Sequence, residues 1–176
     1  TVTVTDGYGD TDTLTNIERV DGSQHADTLT GDDGKNVFRG RGGDDVIDGG
    51  AGTDEVRYSY APSGVDVDLE GGTASDGYGG TDTLSDIENV RGSQHADVLE
   101  GNSGDNQIRG DDGDDTIRGD AGDDILGGQG GNDSIYGGEG DDHVRGDSGN
   151  DILDGGEDWD SVNYSSAPSG VDVDLE

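Results

Sequence analysis

The chain has 176 residues, of which 26% are hydrophobic and 36 are glycine, and its formal charge is −34. So little apolar surface under so much like charge excludes an ordinary packed globule standing unaided. Nine Lys and Arg, scattered along the chain, exclude a phosphate-reading nucleic-acid surface. No apolar run approaches the ~20 residues of a membrane span, and the absence of cysteine removes disulfides and thiolate metal ligands.

Taken in chain order, residues 1–21 carry GYGDTDTLT (7–15), which reads as part of an irregular flanking coil. From Gly22 the chain becomes periodic. Four nonapeptides run to Arg57, and eight more run from Gly92 to Asn163. In all twelve the first residue is Gly, and the eighth is apolar: Leu29, Phe38, Ile47, Val56, Leu99, Ile108, Ile117, Leu126, Ile135, Val144, Leu153 and Val162. The sixth is Asp in ten, with Asn36 and Asn106 as exceptions. The fourth is Gly in nine, replaced by His25, His95 and Asp158. Low-complexity disorder does not hold register this strictly; stacked geometric modules do.

Within each nonapeptide, Gly at the first and fourth positions is predicted to supply positive φ and close backbone approach. Residues seven to nine form a minimal strand whose one inward residue is the eighth. A single apolar residue in nine cannot close a core inside one repeat, so successive coils must stack these residues into ladders. Five basic residues, Arg39, Arg57, Arg109, Arg118 and Arg145, fall at the ninth position and read as outward-facing charge balance.

Between the two blocks, residues 58–91 are predicted to form an irregular connecting segment. Ala61-Pro62-Ser63-Gly64 reads as a turn, and Val65-Asp66-Val67-Asp68-Leu69 alternates as a longer strand. An isolated repeat copy, GYGGTDTLS, occupies 77–85, and Leu84, Ile87 and Val90 read as irregular coil. APSGVDVDLE (61–70) recurs at 167–176, so residues 164–176 read as the start of a further connecting segment. The two long units differ by 36 residues, or four nonapeptides, as expected when modules are gained whole. The sequence therefore reads as a piece of a longer array. It leaves open whether 58–91 continues one roll or joins two.

The apolar burial available from twelve eighth-position side chains falls well short of the entropy of ordering the repeats, and stacked carboxylates add repulsion. A cation supplies what is missing. Carboxylates, Asn amides and Gly-rich carbonyls are hard oxygen donors, which suit Ca²⁺ with its six to eight flexible ligands better than the tight octahedron of Mg²⁺. Ser23-Gln24-His25-Ala26-Asp27 gathers triad residue types, but five residues of one turn do not build a triad. No pocket is foreseen for an acid–base carboxylate pair either. The chain reads as a non-enzyme.

Stretches such as GGEGDDHVR (137–145) and GGAGTDEVR (49–57) resemble the GGxGxDxUx nonapeptide of the repeats-in-toxin (RTX) family, and the resemblance covers all twelve repeats. It implies an all-β fold: a right-handed parallel β-roll, or β-solenoid, with two repeats per coil, irregular intervening coils, and Ca²⁺ between the turns of successive coils. The expected organisation is a flanking coil at 1–21, RTX blocks at 22–57 and 92–163, and connecting segments at 58–91 and 164–176. Carried over by position, the resemblance implies metal ligands at Asp45, Asp54, Asp115, Asp124, Asp133, Asp142, Asp151 and Asp160. Asn36, Asn106, Asp27 and Asp97 join them with weaker claims, because Asn carries no charge and GSQHAD (22–27 and 92–97) makes an atypical first turn. Asp12 and Asp82, in the isolated copies, fit less well.

If repeats alternate sides, three gaps on each side of the longer block and one on each side of the shorter give about eight ions. The family further implies type I secretion, with the chain unfolded at low cytosolic calcium and folding outside the cell. The expected role is a calcium-rigidified spacer or folding module of a larger secreted bacterial protein such as an adhesin or exoenzyme. It would be monomeric, extracellular or at the cell surface, with calcium and neighbouring domains of a longer chain as partners. The alternative is an accessory module of a secreted enzyme that binds a polysaccharide or a surface, for which Tyr136, Tyr164 and Trp159 provide few exposed aromatics.

Overall fold

The structure, a computed structural model, describes residues 2–5, 7, 8, 10–167, 169, 170 and 172. The recurrence of residues 61–70 at 167–176 therefore falls largely outside the described residues. Among those described there is no helix; the chain is a solenoid of short strands in two sheets, plus one separate hairpin. The first sheet runs, in spatial order, Ile152–Glu157, Ser134–Glu139, Thr116–Ala121, Val98–Asn102, Asp66–Asp68, Thr73–Ser75, Thr81–Ser85, Val46–Asp48 and Thr28–Thr30. The second runs Ser161–Val162, His143–Ser148, Ile125–Gly130, Gln107–Asp112, Asn89–Arg91, Glu55–Arg57, Val37–Arg39 and Arg19–Asp21.

The nine-residue period dictates this arrangement. Each repeat contributes one strand, consecutive repeats alternate between sheets, and each strand pairs in parallel with the one 18 residues away. Leu99 thus stands beside Ile117, Ile117 beside Ile135 and Ile135 beside Leu153 in the first sheet. Val90, Ile108, Leu126, Val144 and Val162 form the matching row in the second. The rows face each other to make one core. Ile47, Val56, Leu99, Ile108, Ile117 and Ile135 are all 0% exposed. Leu29 and Leu153 are partly buried, and Val162 on the last rung is 43% exposed.

The connecting segment continues this core. Asn89–Arg91 slots between Glu55–Arg57 and Gln107–Asp112 in the second sheet. In the first sheet the chain skips forward to lay Asp66–Asp68 against Val98–Asn102, then doubles back. Thr73–Ser75 returns antiparallel, and Thr81–Ser85 fills the place beside Val46–Asp48. Val65 and Val67 are buried, as the alternating pattern requires, and Pro62 and Ser63 lie at a bend. Leu84, Ile87 and Val90 are buried too, with Leu84 and Val90 on strands rather than in the irregular coil expected for them. Their spacing is that of a chain crossing from one sheet to the other, which local pattern does not distinguish from coil.

The flanking segment differs from expectation in the same way. Val2–Thr5 pairs antiparallel with Thr11–Leu14. The register, Thr5 opposite Thr11, repeats 70 residues on as Ser75 opposite Thr81. The duplicated turn sequence makes the same hairpin twice, but only the second copy is incorporated into a large sheet.

Candidate metal centres

The first six residues of each repeat form the turn that carries the chain from one sheet to the other. The sixth side chain ties its turn to the one a coil earlier. The N–H groups of Asp27, Asp97, Asp115 and Asp133 donate to Oδ1 of Asp45, Asp115, Asp133 and Asp151 along one flank. Those of Asn36, Asn106, Asp124 and Asp142 donate to Oδ1 of Asp54, Asp124, Asp142 and Asp160 along the other. All eight bonds span 2.6–3.1 Å. Each marks one gap between successive turns.

The second carboxylate oxygen separates the twelve turns into two kinds. In four turns the amide of the second residue donates to the sixth side chain: Ser23 to Asp27, Asp32 to Asn36, Ser93 to Asp97 and Asn102 to Asn106. The hydroxyls of Ser23 and Ser93 add bonds to the other oxygen of Asp27 and Asp97. These side chains, expected from sequence among the ligands, are engaged by amides of their own turns, and two also bond the connecting segment: Asp97 Oδ1 accepts the Val65 N–H and Asn106 Nδ2 donates to the Glu88 carbonyl. All four sit in the first turn of each repeat block on each flank.

In the other eight turns the second residue has positive φ: Arg41, Gly50, Asp111, Asp120, Gln129, Gly138, Asp147 and Gly156. Among these, Oδ2 of Asp45, Asp54, Asp115, Asp124, Asp133 and Asp142 is buried with no hydrogen-bond partner. Asp151 and Asp160 lie at the half-buried end of the stack. The eight turns of this second kind carry the eight Asp residues expected as principal ligands.

The expectation about glycine needs correction. Positive φ falls at the second and fourth positions, not the first and fourth. Five of the second-position residues are not glycine, although a Cβ in that region costs about 1–2 kcal/mol. The first-position glycine serves space instead. A methyl at Gly119 would lie within 3 Å of both Asp124 Oδ2 and the Gly137 carbonyl oxygen, and one at Gly137 equally close to Asp142 Oδ2 and the Gly155 carbonyl. Carboxylate and main-chain oxygens thus border the same small space.

Leaving so many charged oxygens buried and unpartnered is unfavourable. Burial, with repulsion from neighbouring carboxylates, pushes the Asp45, Asp54, Asp133 and Asp142 carboxyls up. It pushes Asp115 and Asp124 up to about 7. A divalent cation with hard oxygen ligands fits these atoms. Among the described residues no three carboxylate or imidazole groups converge, so main-chain carbonyls must complete any such site. The donor set is that of calcium rather than zinc.

Glu88 escaped sequence reasoning, and Asp82, considered there only as a poorly fitting ligand, has a different role. Glu88 Oε2 accepts the Asp54 N–H at 2.7 Å, and Asp82 Oδ1 accepts the Asp45 N–H at 3.2 Å, so the connecting segment extends both files. Asp82 Oδ2 accepts the hydroxyl of buried Tyr58 at 3.1 Å, which leaves neither Asp82 oxygen without a partner. Nothing in the local sequence around Glu88 or Tyr58 signals these contacts.

Turns of this geometry on a two-sheet parallel solenoid define a cation-binding β-roll. The family model for the RTX calcium-binding nonapeptide repeat matches in four copies, over residues 21–56, 91–126 and 127–163, more than half of the chain. The chain belongs to this family of calcium-binding repeats. A search of curated proteins returns no match.

Proposed function

We propose that calcium occupies the eight gaps between successive repeat turns, about one ion in each, and that the chain folds only when it is bound. Asp45, Asp54, Asp115, Asp124, Asp133, Asp142, Asp151 and Asp160 supply the carboxylate ligands, with turn carbonyls completing each site. Asp27, Asp97, Asn36 and Asn106 close the first turn of each repeat block by internal hydrogen bonds and act as caps rather than carboxylate ligands. The observation that carries this reading is the set of six buried Oδ2 atoms without partners, each within 3 Å of where a Cβ on the first-position glycine of its turn would stand.

On this reading the blocks 22–57 and 92–163 are the calcium-bearing modules, 58–91 joins them, and 1–21 and 164–176 flank them. The module performs no catalysis. Its work is mechanical: unfolded for type I export from a bacterium with little cytosolic calcium, then a stiff extracellular or surface-bound spacer holding neighbouring domains of an adhesin or exoenzyme. Typical RTX repeats occur in secreted bacterial proteins, which favours that setting. Isothermal titration calorimetry of the monomeric chain tests the ligand assignment. About eight ions per chain are expected; four or fewer would contradict one ion per gap.

A further inference from the structure

We infer that Asp76 holds an additional calcium ion, in a site outside the nonapeptide pattern, between its own turn and the turn of residues 40–45. The inference rests on the calcium reading above and adds a site that the repeats do not supply.

The turn of residues 76–80 docks on 40–45 as one repeat docks on another. The Thr81 N–H donates to Asp44 Oδ1 at 2.9 Å, and the Asp45 N–H donates to Asp82 Oδ1. By position in GYGGTDTLS, Asp82 stands where the ligand of a regular repeat would stand. Its carboxylate is already spent on the Asp45 amide and the Tyr58 hydroxyl.

The free oxygen comes instead from six residues earlier. Asp76 is 0% exposed. Its Oδ1 accepts three amide hydrogens, from Tyr78 at 2.8 Å and from Gly79 and Gly80 at 2.9 Å. That grip fixes the carboxylate and leaves Oδ2 buried with no partner. A methyl on Gly80 would come within 3 Å of both Asp76 Oδ2 and the Gly43 carbonyl oxygen. A carboxylate oxygen and a main-chain oxygen from two adjacent turns therefore border one space, as they do between the repeats. Asp45, Asp76 and Asp82 are all buried, so three carboxylate side chains share this part of the interior. An oxygen-ligating divalent cation answers this arrangement; a neutral donor would satisfy one oxygen and leave the repulsion.

Anomalous diffraction from calcium-saturated crystals of the unmutated chain tests the site directly. A peak beside Asp76 Oδ2 and the Gly43 carbonyl is expected, and its absence while the repeat gaps hold theirs would overturn the inference. Native mass spectrometry gives an independent count. Asp76→Asn keeps the amide-accepting Oδ1 and should bind one ion fewer than the unmutated chain, whereas Asp82→Asn should bind the same number. An unchanged count in Asp76→Asn would also overturn the site. If the unmutated chain binds no calcium at all, the calcium reading itself fails. If Asp76→Asn does not fold, the map of the unmutated chain decides.

Discussion

Replacing Asp124 by Asn separates the two roles of a file carboxylate. Asp124 is 1% exposed, its Oδ1 accepts the Asn106 N–H at 2.7 Å, and its Oδ2 has no partner. Burial, reinforced by the charges of Asp142, Asp105 and Asp120, lifts its carboxyl from 3.8 to about 7. A lift of that size disfavours the ionised form in the fold by about 4 kcal/mol. Because the folded value lies above the unfolded one, the neutral side chain favours folding at acid pH, and that advantage is lost as pH rises from about 4 to about 7. At pH 8 the metal-free fold bears the whole cost. Asn keeps the Oδ1 acceptor and removes the charge, but adds a buried N–H₂ group that costs about 1–3 kcal/mol if it finds no acceptor. Asn106 shows that such a group can be placed, since its Nδ2 donates to the Glu88 carbonyl. The net gain to the metal-free fold is then about 1–4 kcal/mol.

Trimethylamine N-oxide, which favours compact states by exclusion from the surface, provides the assay. Followed by far-UV circular dichroism in chelator at pH 8, Asp124→Asn should fold at lower osmolyte concentration than the unmutated chain. In calcium it should bind one ion fewer. An unchanged osmolyte midpoint together with an unchanged ion count would refute the reasoning, because Asp124 would then be neither an uncompensated buried charge nor a ligand.

Acidification should act on the whole file in the same direction. Asp82, Asp115 and Asp124 are all pushed up to about 7, so between pH 8 and pH 5 the metal-free chain should gain β signal while calcium affinity falls, as a joint dichroism and calorimetry series would record. Leu126→Ala opens a cavity in the second-sheet row, where the residue is 1% exposed; a loss of about 2–5 kcal/mol should raise the calcium concentration needed for half-folding without changing the final ion count. Tyr58→Phe deprives Asp82 Oδ2 of its donor. A loss of about 1–3 kcal/mol is expected in urea melts of the calcium-loaded chain, again with the ion count unchanged.

The regular half of the fold was legible because one chemical rule repeats. An apolar residue every nine positions, with a glycine seven before it, leaves no alternative to stacking, and the observed 18-residue register follows from placing two repeats in each coil. The placement of the sixth residue in each turn was legible for the same reason. The left-handed second position was not, because Arg41, Asp111, Asp120, Gln129 and Asp147 hide behind side chains a conformation usually announced by glycine. The capped first turns were half legible. GSQHAD stood out as atypical, but Asp32 and Asn102 sit at positions where Asp111 and Asp120 behave otherwise. The doubling-back of 66–85 was not foreseen, since DGYGG reads as a turn without saying which strand it returns to. The Tyr58–Asp82 contact depends on that path and was beyond reach.

The central claim is that calcium completes a fold the chain cannot hold alone. Far-UV circular dichroism during a calcium titration, with magnesium as control, tests it most directly. Trp159 is 71% exposed in the folded chain, so the backbone signal is the more faithful reporter. A disordered spectrum is expected in chelator at pH 8, with a steep cooperative rise of β signal in calcium and no rise with magnesium over the same range. A chain already fully β in chelator at that pH, or one that calcium leaves disordered, would contradict the claim.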